Sequence, residues 1–307
     1  MKPRRFVLLG HPVRHSISAA LLTAAFREAG FPHTYTPIDV PKPGDLARMV
    51  GEIRTGLISG ANVTLPHKRE VLGLVDVVDE SAQLVGAANV VSGDENGRLT
   101  AYNTDMGALE KEIAEITTHR SRAAILGAGG GAAAAIAACK KLGFSIVGVT
   151  TRSWGDTEAT YDSESAKRVR RLGGLATPWP AEGGRVVPSG KLSMAMRLQW
   201  SELAEQADLV VQATSAGMMG GELGDDVAKV VPFEKMPKHA VALDLVYRPP
   251  LTPFLMKAEA AGLRGVSGLG MLIRQAEATY RLWMGSDPPP GVMQRAAEVM
   301  LSGTPSQ

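Results

Sequence analysis

The sequence has a single cysteine, Cys139, so no disulfide can close within the chain. That cysteine ends an alanine-rich run, residues 132–139, where it is expected to pack as a small apolar side chain. Charge of one sign is also scarce. Lysine and arginine total 33 against 31 acidic residues, a formal charge of +2, and no overall field draws such a chain to nucleic acid or an anionic membrane. The six histidines are scattered without a spacing such as H-x-x-x-H, so no metal site is expected. Long apolar runs are absent too. Lys2, Arg4 and Arg5 precede only Phe6-Val7-Leu8-Leu9 before Gly10-His11-Pro12 interrupts. A secretory core needs roughly 7–15 apolar residues, and a membrane span about 20. The short run therefore reads as a buried first strand, and the expected location is the cytoplasm.

What is present is an alternation of short β-rich runs with amphipathic stretches. Strands are expected at 6–10, 33–40, 57–65, 123–126, 145–150, 208–212 and 240–245. Residues 89–92 and 98–102 read as a hairpin around Glu95-Asn96-Gly97. Helices are expected at 17–30, with Ser16 as N-cap, at 43–54, with Asp45 and Glu52 on its polar face, and at 130–142. Such alternation predicts an α/β protein with parallel sheets. A chain of 307 residues suggests two domains. The expected division is an α/β domain over 1–106, a doubly wound, Rossmann-like domain over 107–267, and C-terminal helices over 268–307 that pack back on the first domain. Residues 173–191 hold five glycines with Pro178, Pro180 and Pro188, and read as an irregular insertion.

Gly127-Ala128-Gly129-Gly130-Gly131-Ala132 fits G-x-G-x-x-A and lies between an expected strand and an expected helix. Glycines there let the backbone turn tightly and approach a pyrophosphate, while the helix start offers free N–H groups and partial positive charge. The following strand ends Thr150-Thr151-Arg152-Ser153. Enzymes that use NAD usually carry an acidic residue at this point. An arginine instead attracts a 2′-phosphate with a two-pronged guanidinium, so NADP is the expected cofactor. The basic cluster Lys167, Arg168, Arg170 and Arg171 reads as a solvated helix face.

Three polar clusters stand in the first domain where folding alone does not call for them: His15-Ser16-Ile17-Ser18, Asn62-Val63-Thr64-Leu65-Pro66-His67-Lys68, and Asn89 with Asn103-Thr104-Asp105. Further on come Ala213-Thr214-Ser215-Ala216-Gly217-Met218, Asp244-Leu245-Val246-Tyr247 and Gly268-Leu269-Gly270-Met271-Leu272-Ile273-Arg274-Gln275. In this order, over nearly the whole chain, these segments resemble the signatures of the shikimate dehydrogenase family. The resemblance implies NADP-dependent reduction of 3-dehydroshikimate to shikimate. It assigns Lys68 and Asp105 as the catalytic pair, Ser16, Ser18 and Tyr247 to the substrate carboxylate, and Thr64, Asn89, Asp105 and Gln275 to the ring hydroxyls. On the cofactor side it implies Gly127 to Ala132, Thr151, Arg152, Ser153, Thr214, Leu245 and Gly268, with Glu80 toward the nicotinamide. The chain departs from the family pattern at Ala19 and Val90, in place of proline and threonine. Thr151-Arg152-Ser153 stands for N-R-T, and Trp154-Gly155-Asp156 where a second basic residue is common.

The residue types suit this chemistry. Hydride reduction of a ketone builds negative charge on oxygen, and a lysine offers both a cation and a proton. A quinate or aminoshikimate-type dehydrogenase is the nearest rival, and Ser18, a serine rather than a threonine, favours shikimate. A non-catalytic NADP-binding sensor is the rival of another class, and would be expected to lose Lys68 or Asp105. The expected partner is a small molecule, with neither nucleic acid nor membrane, acting on a monomer or homodimer.

Overall fold

The structure, a computed structural model, describes residues 2–155, 158–180 and 199–302; Asp156 and the 181–191 part of the glycine- and proline-rich stretch lie outside them. The chain divides into two compact units, Met1–Ala108 with Leu272–Gln307, and Leu109–Met271. Both divisions fall inside helices, Asp105–Ile116 and Leu269–Met284. Among the described residues no helix is long and apolar enough to cross a membrane.

The first unit is built on a six-stranded sheet. Its strands are β1 (Arg5–Gly10), β2 (Thr34–Asp39), β3 (Gly60–Val63), β4 (Val77–Val78), β5 (Val90–Gly93) and β6 (Leu99–Tyr102), in the order β2-β1-β3-β5-β6-β4. Phe6, Val7, Leu8 and Leu9 are all buried, because β1 lies inside the sheet with both faces covered and so reads as a continuous apolar run. The sheet is mixed rather than parallel throughout. β3 pairs antiparallel with β5, and β5 with β6. The β5–β6 turn is short: Asp94 accepts N–H bonds from Asn96 and Arg98 at 2.9 Å each, and Gly97 takes the positive φ of 76°.

Chain from the far C-terminal side completes this core. The Trp283 ring stacks on Phe6 at 4.3 Å, and Tyr280 lies 5.6 Å from Phe26. A Cβ added to Gly60 would sit 2.7 Å from Trp283 Nε1, so β3 admits only glycine at that crossing. Buried Asn62 ties the same layers together. It accepts from the Tyr35 hydroxyl at 2.9 Å and donates to Thr279 Oγ1 at 3.2 Å and to the Asn89 carbonyl at 3.1 Å.

The second unit carries β7 (Arg122–Leu126), β8 (Ile146–Thr150), β9 (Leu175–Ala176), β10 (Leu209–Gln212), β11 (Val241–Asp244) and β12 (Arg264–Ser267). All run parallel, in the order β12-β11-β10-β7-β8-β9. Winding reverses between β7 and β10, and ligands of open α/β sheets bind at the carboxyl ends of strands at such a switch point. The helix Gly130–Lys141 follows β7 and buries Ala132 to Cys139. Burial pushes the Cys139 thiol up to about 12, so it stays protonated and inert.

Two sequence expectations need correction here. The stretch from Gly173 is not irregular from its start, since Leu175–Ala176 forms β9 and pairs with Gly148 and Val149 at the sheet edge. Ser16 does not cap the first helix. That helix spans Ser18–Glu28, and Ile17 occupies the cap position with φ −88° and ψ −1° rather than the extended backbone a capping side chain needs.

Candidate active site

Lys68 leaves a tight segment that follows β3. The Thr64 carbonyl accepts from the His67 amide at 2.9 Å, and the Lys68 carbonyl from the Ala88 amide at 2.7 Å. Buried His67 pins the segment by donating from Nε2 to the Val40 carbonyl at 2.7 Å. Across from it, Asp105 is the first residue of the helix Asp105–Ile116, where a carboxylate meets the positive end of the helix dipole. Asn103 holds that helix start: its Oδ1 accepts from the Met106 amide at 3.1 Å and its Nδ2 donates to the Ala87 carbonyl at 2.8 Å.

These two supports bring Lys68 Nζ to 2.6 Å from Asp105 Oδ2. The carboxylate is nearly enclosed, with 4% of its side chain exposed, while the lysine keeps 17%. Its other oxygen, Oδ1, accepts from Asn89 Nδ2 at 2.9 Å. Asn89 is buried and accepts from the Thr104 amide at 2.8 Å. Its two amide hydrogens face three acceptors: Thr104 Oγ1 at 2.8 Å, Asp105 Oδ1 at 2.9 Å and Gln275 Oε1 at 3.4 Å. The longest of these is the exchangeable one. Gln275 itself donates to the Leu272 carbonyl at 3.0 Å.

Ser16 and Ser18 form a second polar pair in this unit. Ser16 Oγ donates to Ser18 Oγ at 3.1 Å and accepts from the Ser18 amide at 3.3 Å. Thr64 packs its methyl against Gly10, where an added Cβ would lie 2.3 Å away. Glu80 stands exposed in the first turn of the helix Glu80–Val85. Tyr247 is half-buried and belongs to the second unit, after β11.

In the second unit the glycine turn joins β7 to the helix Gly130–Lys141. Gly127 has φ +110°, and a Cβ there would meet the Ala213 carbonyl at 3.0 Å and Thr214 Cγ2 at 3.1 Å. At Gly129, the cap position, an added Cβ meets nothing within 4 Å, so the approach to the turn is open. Gly129 has no side chain with which to cap the helix, and the helix's first turn holds no acidic residue. A dinucleotide pyrophosphate fits this arrangement: open amides, a positive helix end and no competing carboxylate. Thr151 is half-buried after β8, and Arg152 and Ser153 are exposed. Arg152 pairs with the exposed carboxylate of Glu222. Gly268 lies so close to the Leu245 carbonyl that an added Cβ would sit 2.3 Å from it. Asp244, buried at the end of β11, accepts from Thr252 Oγ1 at 2.6 Å and the Val246 amide at 2.9 Å. Burial outweighs those two bonds and raises its carboxyl to about 7.

Residues 8–91 match the model of the shikimate dehydrogenase substrate binding domain, and 268–298 that of the shikimate 5′-dehydrogenase C-terminal domain. A shikimate dehydrogenase (NADP(+)) of Citrifermentans bemidjiense is 37% identical over 300 residues, covering 96% of this chain and 94% of the relative. The chain belongs to the shikimate dehydrogenase family. Among solved structures, shikimate 5-dehydrogenase of Thermus thermophilus in complex with NADP(H) and shikimate superposes with a TM-score of 0.76 at 32% identity, over 97% of this chain and 100% of that one. A 5-ketofructose reductase of a Gluconobacter species superposes at 0.74 with 27% identity, over 98% and 99%.

Within this member of the shikimate dehydrogenase family, three residues carry more than their sequence context suggests. Thr104 holds Asn89 from two sides and so fixes Asp105 indirectly. Glu222 is the partner of Arg152, 70 positions away, with no local pattern to announce it. Arg168 corrects the reading of a solvated basic face: it is buried and donates to the Ala128 carbonyl within the glycine turn. Its neighbour Arg170 lies 3.7 Å over the Tyr161 ring and donates to the Tyr161 carbonyl at 2.8 Å, while Lys167 and Arg171 are exposed.

Proposed function

We propose that this protein catalyses the reversible NADP-dependent reduction of 3-dehydroshikimate to shikimate. The observation that carries the reading is the Lys68–Asp105 contact at 2.6 Å, with the far carboxylate oxygen held by Asn89. NADPH supplies the hydride when bound. Lys68 stabilises the negative charge that develops on the carbonyl oxygen and gives it a proton, so a C=O becomes a CH–OH. Asp105 holds the ammonium in place and accepts from a neighbouring ring hydroxyl. Ser16 and Ser18 offer two hydroxyls to the substrate carboxylate. Thr64 and Gln275 bond the ring hydroxyls, and a hydroxyl reaching Asn89 replaces its long contact to Gln275. A substrate lacking one of these hydroxyls strands a buried polar group, which is the origin of selectivity in such a pocket.

The test is NADPH oxidation by the purified protein with 3-dehydroshikimate, and NADP+ reduction with shikimate or quinate in parallel. Turnover of 3-dehydroshikimate, and a higher kcat/KM for shikimate than for quinate, are expected. Faster quinate oxidation reverses the substrate assignment, and no turnover with any of the three removes the enzymatic reading.

A further inference from the structure

The amino end of the second sheet carries a cluster that the reaction does not use. His119 lies shortly before β7, Asp208 immediately before β10, and His239 shortly before β11. Because β7, β10 and β11 are neighbours in the sheet, three residues spread over about 120 positions of sequence arrive side by side. The Asp208 amide donates to the Arg122 carbonyl at 2.9 Å and its carbonyl accepts from the Val241 amide at 3.0 Å, so the strand ends themselves set the spacing.

The side chains converge further. His119 and His239 stack with ring centroids 3.9 Å apart, and His239 Nε2 lies 2.9 Å from Asp208 Oδ1. One donor atom from each of the three lies within 4.8 Å of the others. Asp208 is oriented from behind: Oδ2 accepts from the Ser121 amide at 2.6 Å and the Arg122 amide at 3.1 Å, which turns Oδ1 toward the histidines. The loop bearing His119 is held as well, since its amide donates to Thr117 Oγ1 at 3.2 Å. Neighbouring cations are engaged elsewhere, Arg120 with the Leu142 carbonyl at 2.9 Å and Lys238 with the Ala261 carbonyl at 3.1 Å.

We propose that His119, Asp208 and His239 form a binding site for one divalent transition-metal ion. Two imidazoles and a carboxylate are a donor set that suits zinc, nickel or copper, and disfavours magnesium or calcium, which prefer all-oxygen shells. With metal–ligand distances of about 2.0–2.1 Å, donors on one zinc ion stand about 3.3 Å apart. The exposed imidazoles need only swing inward to reach that spacing, while the carboxylate is already fixed. Solvent fills the remaining position. The site lies at the opposite end of β7 from the glycine turn, a separation of roughly 16 Å for five residues at about 3.3 Å each. Its effect is therefore on the unit's stability rather than on the reaction: an ion bridging the lead-ins to three adjacent strands favours the folded state by mass action. The scattered histidines of the sequence concealed this, because the ligands share a sheet end and not a helix face.

The full chain titrated with zinc(II) by calorimetry, and scanned for thermal unfolding with and without the ion, tests the proposal. One equivalent is expected to bind and to raise the unfolding midpoint. His239→Ala and His119→Ala should each weaken binding at least tenfold, and the double variant should lose the midpoint shift while keeping the parental kcat. The proposal is overturned if the parent shows no zinc-dependent shift, or if the double variant binds the same equivalent with unchanged affinity. A circular dichroism spectrum matching the parent establishes that a variant has folded, and nickel(II) provides the same comparison with a second ion.

Discussion

Lys68, Asp105, Asn89, Thr104 and Gln275 build the candidate site of the first unit out of side chains, whereas the turn at 127–132 builds that of the second by leaving side chains out. In the first, each polar group is held by another: lysine by carboxylate, carboxylate by amide, amide by the Thr104 backbone. In the second, the surface offered to a ligand is backbone, kept clear at Gly129 and forced into a left-handed turn at Gly127. The two constructions are vulnerable to opposite changes. A network of side chains fails when atoms are removed, and a bare turn fails when atoms are added.

Lys68→Met breaks the comparison most severely on the first side. Removing the proposed proton donor should lower kcat by about 100- to 10,000-fold, with the Kd for NADPH unchanged by fluorescence titration. Normal turnover in that variant would take Lys68 out of the mechanism. The mirror experiment is Gly127→Ala. A methyl group at φ +110°, pressed against Ala213 and Thr214, carries a strain of about 1–3 kcal/mol. At about 1.4 kcal/mol per decade, NADPH should bind roughly fivefold to a hundredfold more weakly as the turn shifts to relieve it. An unchanged Kd would show that the turn does not meet the nucleotide.

Arg168→Met sharpens the same contrast, because it removes a side chain from behind the bare turn. The Ala128 carbonyl loses a charge-assisted donor, and the Kd for NADPH should rise several-fold, with Arg168→Lys recovering part of the loss. A lower unfolding midpoint with unaltered NADPH affinity would make Arg168 a support of the fold alone. The smallest effect belongs to Glu222→Gln. An exposed ion pair is worth about 0.2–1 kcal/mol, so freeing Arg152 from Glu222 should tighten NADPH by up to about fivefold and leave NADH untouched. Equal tightening of both cofactors would show that Arg152 does not read the 2′-phosphate.

Legibility differed between the units for physical reasons. The parallel sheet of the second unit follows from strand–helix alternation, and its glycine turn stands where the G-x-G-x-x-A run put it, between β7 and the helix Gly130–Lys141. In the first unit the hairpin at Glu95-Asn96-Gly97 was visible, but the antiparallel union of β3 with β5 was not, since strand pairing at a distance leaves no local pattern. Family motifs pair Lys68 with Asp105, and the contact itself depends on Asn103 and His67 anchoring two separate segments. Arg168 departs from the sequence expectation because four basic residues in five suggest a solvated face. It lies next to buried Val169 and within a turn of Ala166, which is the signal that it faces inward. Short elements such as β4 and β9, two residues each, fall below any periodicity.

Because Leu272–Gln307 belongs with Met1–Ala108, one unit is split in the sequence and the whole of the other is made between its two parts. Domains generally fold as units while the chain emerges. Here Leu109–Met271 leaves the ribosome before Trp283 does, so the stack of Phe6 on Trp283 forms only after that whole segment has been made. Through that interval the nascent first unit has Phe26 and His33 beside Phe6 but lacks the indole that stacks on it, and the contact of Asn89 with Gln275 is delayed in the same way.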